Sequence, residues 1–281
     1  MIDIRQSLQY SNYLTSLSWK VERIKETNYF IRKFPLIGSV LKVQRPERVD
    51  FDTIDELCRK YSVFQVIIEP KTGSDTEFLA SKGFKLSKSP YLPSKTLEID
   101  LTQSQKEILR HFKKDARNAV KRGEALDIKS YSTPEDIRKW RDAWKNSVKF
   151  DRYVPPTQQL INLRKNFSSN HSLFLASHNI VGSVIGGALF TISSHGLSNY
   201  ISYYWYGFTN KEGRTSLSQY SLLYQGILWA KKMGCKVFDF EGVYDPRFPN
   251  KSWLGFSHFK KSFGGPEVVY PGCYTKFRFP L

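Results

Sequence analysis

The sequence is poor in the residue types that most often build thiol and metal centres. Three cysteines, Cys58, Cys235 and Cys273, are scattered over 281 residues, with no C-x-x-C pair and an odd total. Such usage argues against a disulfide framework and a cysteine-bound zinc, and suits a reducing compartment. The five histidines, His111, His171, His178, His195 and His258, show no H-x-x-x-H spacing, so no metal site is expected. Also missing are a G-x-S-x-G elbow, a Walker A loop and a G-x-G-x-x-G turn, and with them the usual signs of a serine hydrolase, a P-loop enzyme or a dinucleotide-binding domain. No stretch approaches the ~18 consecutive apolar residues of a spanning helix, and the start lacks a signal-peptide core. A cytoplasmic protein is expected, with any membrane contact peripheral and at the inner face of the cell membrane. No cofactor is expected.

Negative charge is scarce too. Lys and Arg number 43 against 26 Asp and Glu, a net charge of +17. The imbalance is uneven. Residues 1–100 hold 16 basic against 13 acidic side chains, and residues 101–281 hold 27 against 13. A basic excess concentrated in the later two thirds favours a polyanionic partner such as nucleic acid, a phosphorylated substrate or an anionic membrane face. Apolar content of 40% and aromatic content of 15% call for a globular core.

Periodicity predicts alternating strands and helices. Strands are expected at Val40–Val43, Val63–Ile68 and Phe84–Leu86, with a helix at Asp52–Tyr61 capped by Asp52 and another at Thr76–Lys82 ended by Gly83. Ser89-Pro90-Tyr91-Leu92-Pro93-Ser94 is punctuation and a boundary signal. Next, Thr96–Leu101 alternates as a strand. Thr102 or Ser104 can cap one helix running to Arg122, with Ile108, Leu109, Phe112, Ala116, Ala119 and Val120 as its apolar stripe. The outer face carries seven cations, among them Lys113, Lys114, Arg117 and Lys121, against Glu107 and Asp115. This face is either simply solvated or an anion-binding surface. A strand at Asp127–Tyr131, helices from Pro134 and Thr157, and strands at Ser172–Ser177, Val181–Ser193 and Asn199–Trp205 follow. Gly186-Gly187 within the middle strand signals a bulge or a close backbone approach. A helix Ser216–Lys232 and a strand Lys236–Phe240 complete the pattern. The order across 96–240 resembles the GNAT acyltransferase fold, with 1–95 as a reduced copy. The expected fold class is thus α/β (α+β), with two GNAT-like domains, 1–95 and 96–281, each a mixed sheet flanked by helices.

Two features carry chemistry. Asp239 ends a strand beside Gly242, where ligands bind in α/β sheets; a loop-capping role fits equally. Phe259-Lys260, between Trp253 and Phe263-Gly264-Gly265, reads either as a helix-surface lysine or as a point charge held for a phosphate or a developing oxyanion.

Five stretches in order, LTQSQKEILRHFKKDARNAVKR (101–122), YWYG (204–207), YSLLYQGILWAKKMG (220–234), DFEG (239–242) and GFSHFKKSFGG (255–265), resemble the FemABX peptidyltransferases. Those enzymes add amino acids from aminoacyl-tRNA to peptidoglycan precursors. The resemblance covers roughly 96–275 well and 1–95 weakly. It implies an aminoacyltransferase building a peptidoglycan cross-bridge, with charged tRNA as donor and a UDP- or lipid-linked muramyl pentapeptide as acceptor. It implies that Phe259-Lys260 matches the family's Phe-Lys pair, with Lys260 at the reacting centre, and that Tyr204 and Tyr206 line the site. Arg152, beside Tyr153, would bind substrate, and Lys20 or Arg23 would supply a cation for the precursor phosphates. Asp239 is a candidate proton acceptor. The basic helix would attract tRNA; DNA is not expected, and a monomer is favoured. Two other classes stay open: an acyl-CoA-dependent N-acyltransferase on the same fold, disfavoured because Asn210-Lys211-Glu212-Gly213-Arg214 replaces the usual pyrophosphate loop, and a non-catalytic module binding tRNA or anionic lipid carriers.

Overall fold

The computed structural model describes residues 2–150, 152–193 and 200–278, apart from the side chain of Glu124. His195 and Asn199, the predicted start of a strand, lie outside the described residues. The chain opens with α1 (Leu8–Thr15), β1 (Lys20–Ile24), β2 (Thr27–Phe34), β3 (Gly38–Gln44), α2 (Phe51–Lys60), β4 (Val63–Glu69), α3 (Thr76–Ser81) and β5 (Lys85–Leu86). Then come β6 (Lys95–Asp100), α4 (Gln105–His111), α5 (Lys114–Arg122), β7 (Asp127–Tyr131), α6 (Pro134–Ser147), α7 (Thr157–His171), β8 (Ser172–His178), β9 (Val184–Ser193) and β10 (Ile201–Thr209). The last elements are α8 (Lys211–Thr215), α9 (Ser218–Lys232), β11 (Val237–Asp239), α10 (Leu254–Lys261), β12 (Glu267–Val269) and β13 (Tyr274–Phe277).

These elements form two compact units that interleave along the chain. The first gathers Ile2–Thr96, Gly242–Leu254 and the chain from Val268 onward; the second gathers Leu97–Glu241 and Gly255–Glu267. Two later segments thus join the first unit. The reason is strand pairing. β13 lies between β4 and β5, with Tyr274 opposite Ile68 and Leu86, so the chain must return to a sheet begun about 250 residues earlier.

In the first unit the described strands form a sheet ordered β1-β2-β3-β4-β13-β5. Ile54, Leu57 and Cys58 of α2 and Leu79 of α3 pack with Ile31, Leu41, Val66 and Ile68 of the sheet. Asp50, not Asp52, caps α2: its carboxylate accepts from the Thr53 N–H at 3.1 Å, and Asp52 falls in the first turn. Such a cap is worth about 1 kcal/mol.

The second unit centres on a sheet ordered β12-β6-β11-β10-β9-β8-β7, in which β10 and β11 run parallel. The meander β8-β9-β10 is the predicted three-strand run, with β10 continuing to Thr209. At Gly187 a Cβ would lie 2.6 Å from the Trp140 indole nitrogen and 2.4 Å from the Phe208 ring, so the predicted close approach is of side chains onto a bare backbone. The single helix expected up to Arg122 is two. Phe112 and Lys113 are extended, and the Lys113 N–H donates to the Ser262 carbonyl at 2.7 Å instead of continuing the helix. Ser104, not Thr102, caps α4, and its partner in a capping box is Glu107. The helix expected at Ser216–Lys232 begins at Ser218, after the short α8. No helix among the described residues is long and apolar enough to cross a membrane.

Candidate functional site

The site lies in the second unit, where two parallel strands part company. β10 and β11 pair as Ile201–Val237, Ser202–Phe238 and Tyr203–Asp239. Beyond Asp239 the pairing stops, but β10 runs on through a bulge between Tyr204 and Tyr206. A bulge re-aims side chains and relaxes pairing at one place. Tyr204–Gly207, expected at a strand end, is therefore mid-strand.

Lys260 reaches into this divergence. It is only 7% exposed, so the surface-lysine reading fails. Its ammonium donates to the Phe240 carbonyl, just past β11, at 2.6 Å. It also lies 5.4 Å from the centre of the Tyr204 ring, just past the last pair on β10, and 5.0 Å from that of Phe256. Aromatic faces and a carbonyl suit a cation deprived of water. Burial pulls the Lys260 pKa down to about 8, opposed by Glu241 and then Asp239. Asp239 is itself buried, and one of its oxygens accepts from the Glu241 N–H at 2.7 Å. The loop-capping reading of Asp239 thus holds, and its carboxylate acts on the lysine's charge.

Packing explains why α10 aims Lys260 inward. Phe263 and Phe240 are fully buried with rings 5.6 Å apart, and Phe259 meets Tyr220 edge-on at 4.8 Å. These aromatic contacts dock α10 with Ser257 and Lys260 on its buried side.

A cavity of about 380 Å³ shares Tyr204 and Phe256 with the lysine's surroundings. Tyr204, Gly207, Gln219, Tyr220, Phe256 and Phe259 are among its lining residues, with Arg214 also on its wall. Tyr204 and Phe256 thus serve both the cavity and the ammonium. Gln219 donates to the Tyr204 hydroxyl at 2.8 Å and to the Gly187 carbonyl at 3.4 Å; its own buried oxygen has no hydrogen-bond partner among the described residues. Burial raises the Tyr204 phenol above its usual range and pushes Tyr206 up to about 12. Both phenols stay protonated donors at neutral pH. Among the described residues no group of three or more His, Cys, Asp or Glu side chains could hold a metal ion.

The structure thus brings Lys260, Asp239, Phe259 and Tyr204 together, with Tyr206 on the same strand. Arg152 is exposed in the α6–α7 loop. Its neighbour Tyr153 donates to Gln159 and lies close enough to Tyr206 to raise that phenol's pKa further. Lys20 and Arg23 belong to the first unit. Lys20 is exposed, while Arg23 donates to the Gln6 carbonyl and the Asn28 side chain, both at 2.8 Å, which ties β1 to the N-terminal segment. A cation that sequence reasoning misses is Lys42, half-buried and 4.3 Å from the Tyr91 ring centre and 5.2 Å from that of Trp19. Burial lowers its pKa, and Glu69 and Cys273 oppose the shift. Its one signal is a lysine interrupting the apolar Val40-Leu41-Lys42-Val43 run. Gln219, Phe256 and Glu241 are missed as well, since nothing local distinguishes them. Lys113, Lys114, Arg117 and Lys121 are all exposed. Lys114, Arg117 and Lys121 share one face of α5, although Arg117 also donates to the Phe112 and Arg110 carbonyls.

No protein-family model matches the chain. No curated protein matches it in sequence either. Solved structures do. FemX superposes with a TM-score of 0.80 over 98% of this chain and 92% of its own, at 15% identity. L-PGS from Bacillus licheniformis gives a TM-score of 0.58 over 95% of this chain and 86% of its own, at 14% identity. A tandem GNAT protein from the clavulanic acid biosynthesis pathway gives 0.53 over 91% and 84%, at 10% identity. The chain therefore has a FemABX-like fold of two GNAT-like domains, a mixed α/β architecture with helices flanking two mixed sheets.

Proposed function

We propose that the protein is an aminoacyltransferase that moves an amino acid from aminoacyl-tRNA to the stem peptide of a peptidoglycan precursor. The observation that carries this reading is the buried Lys260 ammonium at the parting of β10 and β11, beside an apolar cavity, in a fold that superposes on FemX almost end to end.

The chemistry follows from that placement. A stem-peptide amine attacks the ester carbon of the donor; a C–N bond forms, and the bond to the ribose oxygen breaks. The ester is already activated, so the protein need supply mainly position and charge. With a pKa of about 8, Lys260 is mostly protonated at neutral pH. It stabilises the negative charge that develops on the carbonyl oxygen or on the departing ribose oxygen. Asp239 takes the proton lost by the amine, directly or through water. Phe259, Tyr204 and Tyr206 shape the space for the aminoacyl group, and Arg152 in the α6–α7 loop contacts substrate. For the acceptor's phosphates, Lys20 stands exposed and Lys42 joins it as a first-unit cation, whereas Arg23 is committed to Gln6 and Asn28. The acceptor is UDP- or lipid-linked. Incubating the protein with charged tRNA and a muramyl-pentapeptide precursor should yield, by mass spectrometry, a stem peptide heavier by one aminoacyl group. Transfer from an acyl-CoA instead, or none across a panel of charged tRNAs, would overturn the reading.

The donor's anionic body is met by α5. Lys114 and Lys121 are exposed, seven positions apart on one face. Replacing both with alanine is expected to weaken tRNA binding and to lower the slope of log affinity against log salt by about 0.7–0.9 for each phosphate that is no longer neutralised. Filter binding at several salt concentrations checks this; an unchanged slope removes α5 from the interface.

A further inference from the structure

We propose that the turn between β2 and β3 is a docking wedge for an anionic lipid bilayer. The inference rests on the first unit alone and holds whether or not the protein transfers amino acids.

The turn reads Phe34-Pro35-Leu36-Ile37-Gly38. Leu36 is 108% exposed and Ile37 63%, with Phe34 also exposed. A turn normally uses polar residues, and a left-handed position normally takes Gly or Asn. Here Leu36 has φ +67°, so an unfavourable backbone holds a large apolar side chain fully out in solvent. The turn is also braced. At Gly38, with φ +103°, a Cβ would lie 2.3 Å from the Ser62 carbonyl, which accepts from the Ser39 N–H at 3.0 Å. Phe34 packs edge-on against Phe64 at 6.2 Å. The apolar tip is a convex, supported projection.

Basic side chains lie on the segments that meet its base. Lys33 adjoins it on β2. Arg59 and Lys60 end α2, next to Ser62, and Arg278 follows β13, its N–H donating to the Phe64 carbonyl at 2.7 Å. Lys60 pairs with Glu22 and Arg278 with Asp55. Lys33 and Arg59 are exposed and make no ion pair among the described residues. An apolar tip with a cationic collar matches a bilayer interface: leucine and isoleucine enter the acyl boundary while lysine and arginine meet anionic headgroups. A groove on a protein partner would need shape without this charge surplus.

Co-sedimentation with phosphatidylcholine vesicles, with and without phosphatidylglycerol, tests the proposal. Binding is expected to the mixed vesicles only. Leu36→Ser combined with Ile37→Ser should weaken it roughly tenfold, with circular dichroism and Tm unchanged because both side chains are exposed. This variant separates docking from the general attraction of a +17 protein. As a second readout, Ile37→Cys carrying an environment-sensitive fluorophore should shift to the blue on mixed vesicles, while the same probe at Ser74→Cys should not; Cys58, Cys235 and Cys273 are buried and escape labelling. No binding to mixed vesicles, binding unchanged by the double variant, or a silent probe at position 37 on bound protein would each overturn the proposal. So would a change in self-association by the double variant with vesicle binding intact.

Discussion

Lys260→Met is expected to lose at least about a hundredfold in turnover while leaving the fold as stable as the wild type, or more so. The two effects have one origin. Lys260 is buried, and burial lowers its pKa from 10.5 to about 8. Keeping it charged at neutral pH therefore costs the folded state about 3 kcal/mol relative to the unfolded chain. Methionine fills much the same volume without that cost, and gives up the cation with its bond to the Phe240 carbonyl. The pH dependence has a definite sign. Below about pH 8 both folded and unfolded states hold the proton, and the full cost is present. Between about 8 and 10.5 the unfolded state holds more protons, so wild-type stability rises through that window. The methionine variant should lack this rise. Transfer activity of the wild type should show an alkaline limb near pH 8, as the ammonium is lost, so activity falls where stability climbs. Thermal melts across that range and single-turnover transfer assays measure the two separately. Wild-type turnover by the methionine variant would remove Lys260 from the chemistry; identical melt profiles would show that the buried charge carries no cost.

Trp140→Ala should destabilise the second unit by about 3–5 kcal/mol, the largest stability effect we expect from a single substitution. Trp140 has no exposed surface. Its ring meets Trp144, Phe174 and Phe208 at 5.5, 5.3 and 4.9 Å, and its indole N–H donates to the Leu175 carbonyl at 2.9 Å. Alanine leaves a cavity over Gly187, where no Cβ is present to fill it, and removes one hydrogen bond to a buried carbonyl. Trp140→Phe keeps most of the packing and loses the hydrogen bond with part of the ring volume, so it should cost less, about 1–2 kcal/mol. The two urea midpoints separate packing from polar satisfaction. Equal midpoints for the two variants would contradict the packing account.

The sequence and the structure agree best where the signal is local. The α6 start at Pro134, the β8-β9-β10 meander and the cationic face of α5 follow from periodicity and caps within a few residues. Errors also cluster where competitors sit nearby. Asp50 outcompetes Asp52 as a cap because only one of them has its oxygen beside the Thr53 N–H. The break at Phe112-Lys113 is invisible in the sequence because its cause, the Ser262 carbonyl, lies some 150 positions away. For the same reason local sequence cannot choose between Asp239 as cap and Asp239 as ligand neighbour; the structure shows the cap, with its charge acting on Lys260.

By itself, then, the sequence determined the types of element, the uneven positive charge and the residues Phe259-Lys260 and Asp239 as a pair of chemical interest. Those are properties of side-chain identity and short-range spacing. Only the tertiary structure decided that Lys260 is buried rather than a surface cation, that Tyr204, Phe256 and Gln219 enclose a cavity beside it, and that β13 returns to the first unit. Each depends on contacts between distant positions: Lys260 with Phe240, Gln219 with Tyr204, Tyr274 with Ile68. A lysine's charge is written in its chemistry, but how strongly that charge acts is set by the water its neighbours exclude, and those neighbours arrive only when the chain has folded.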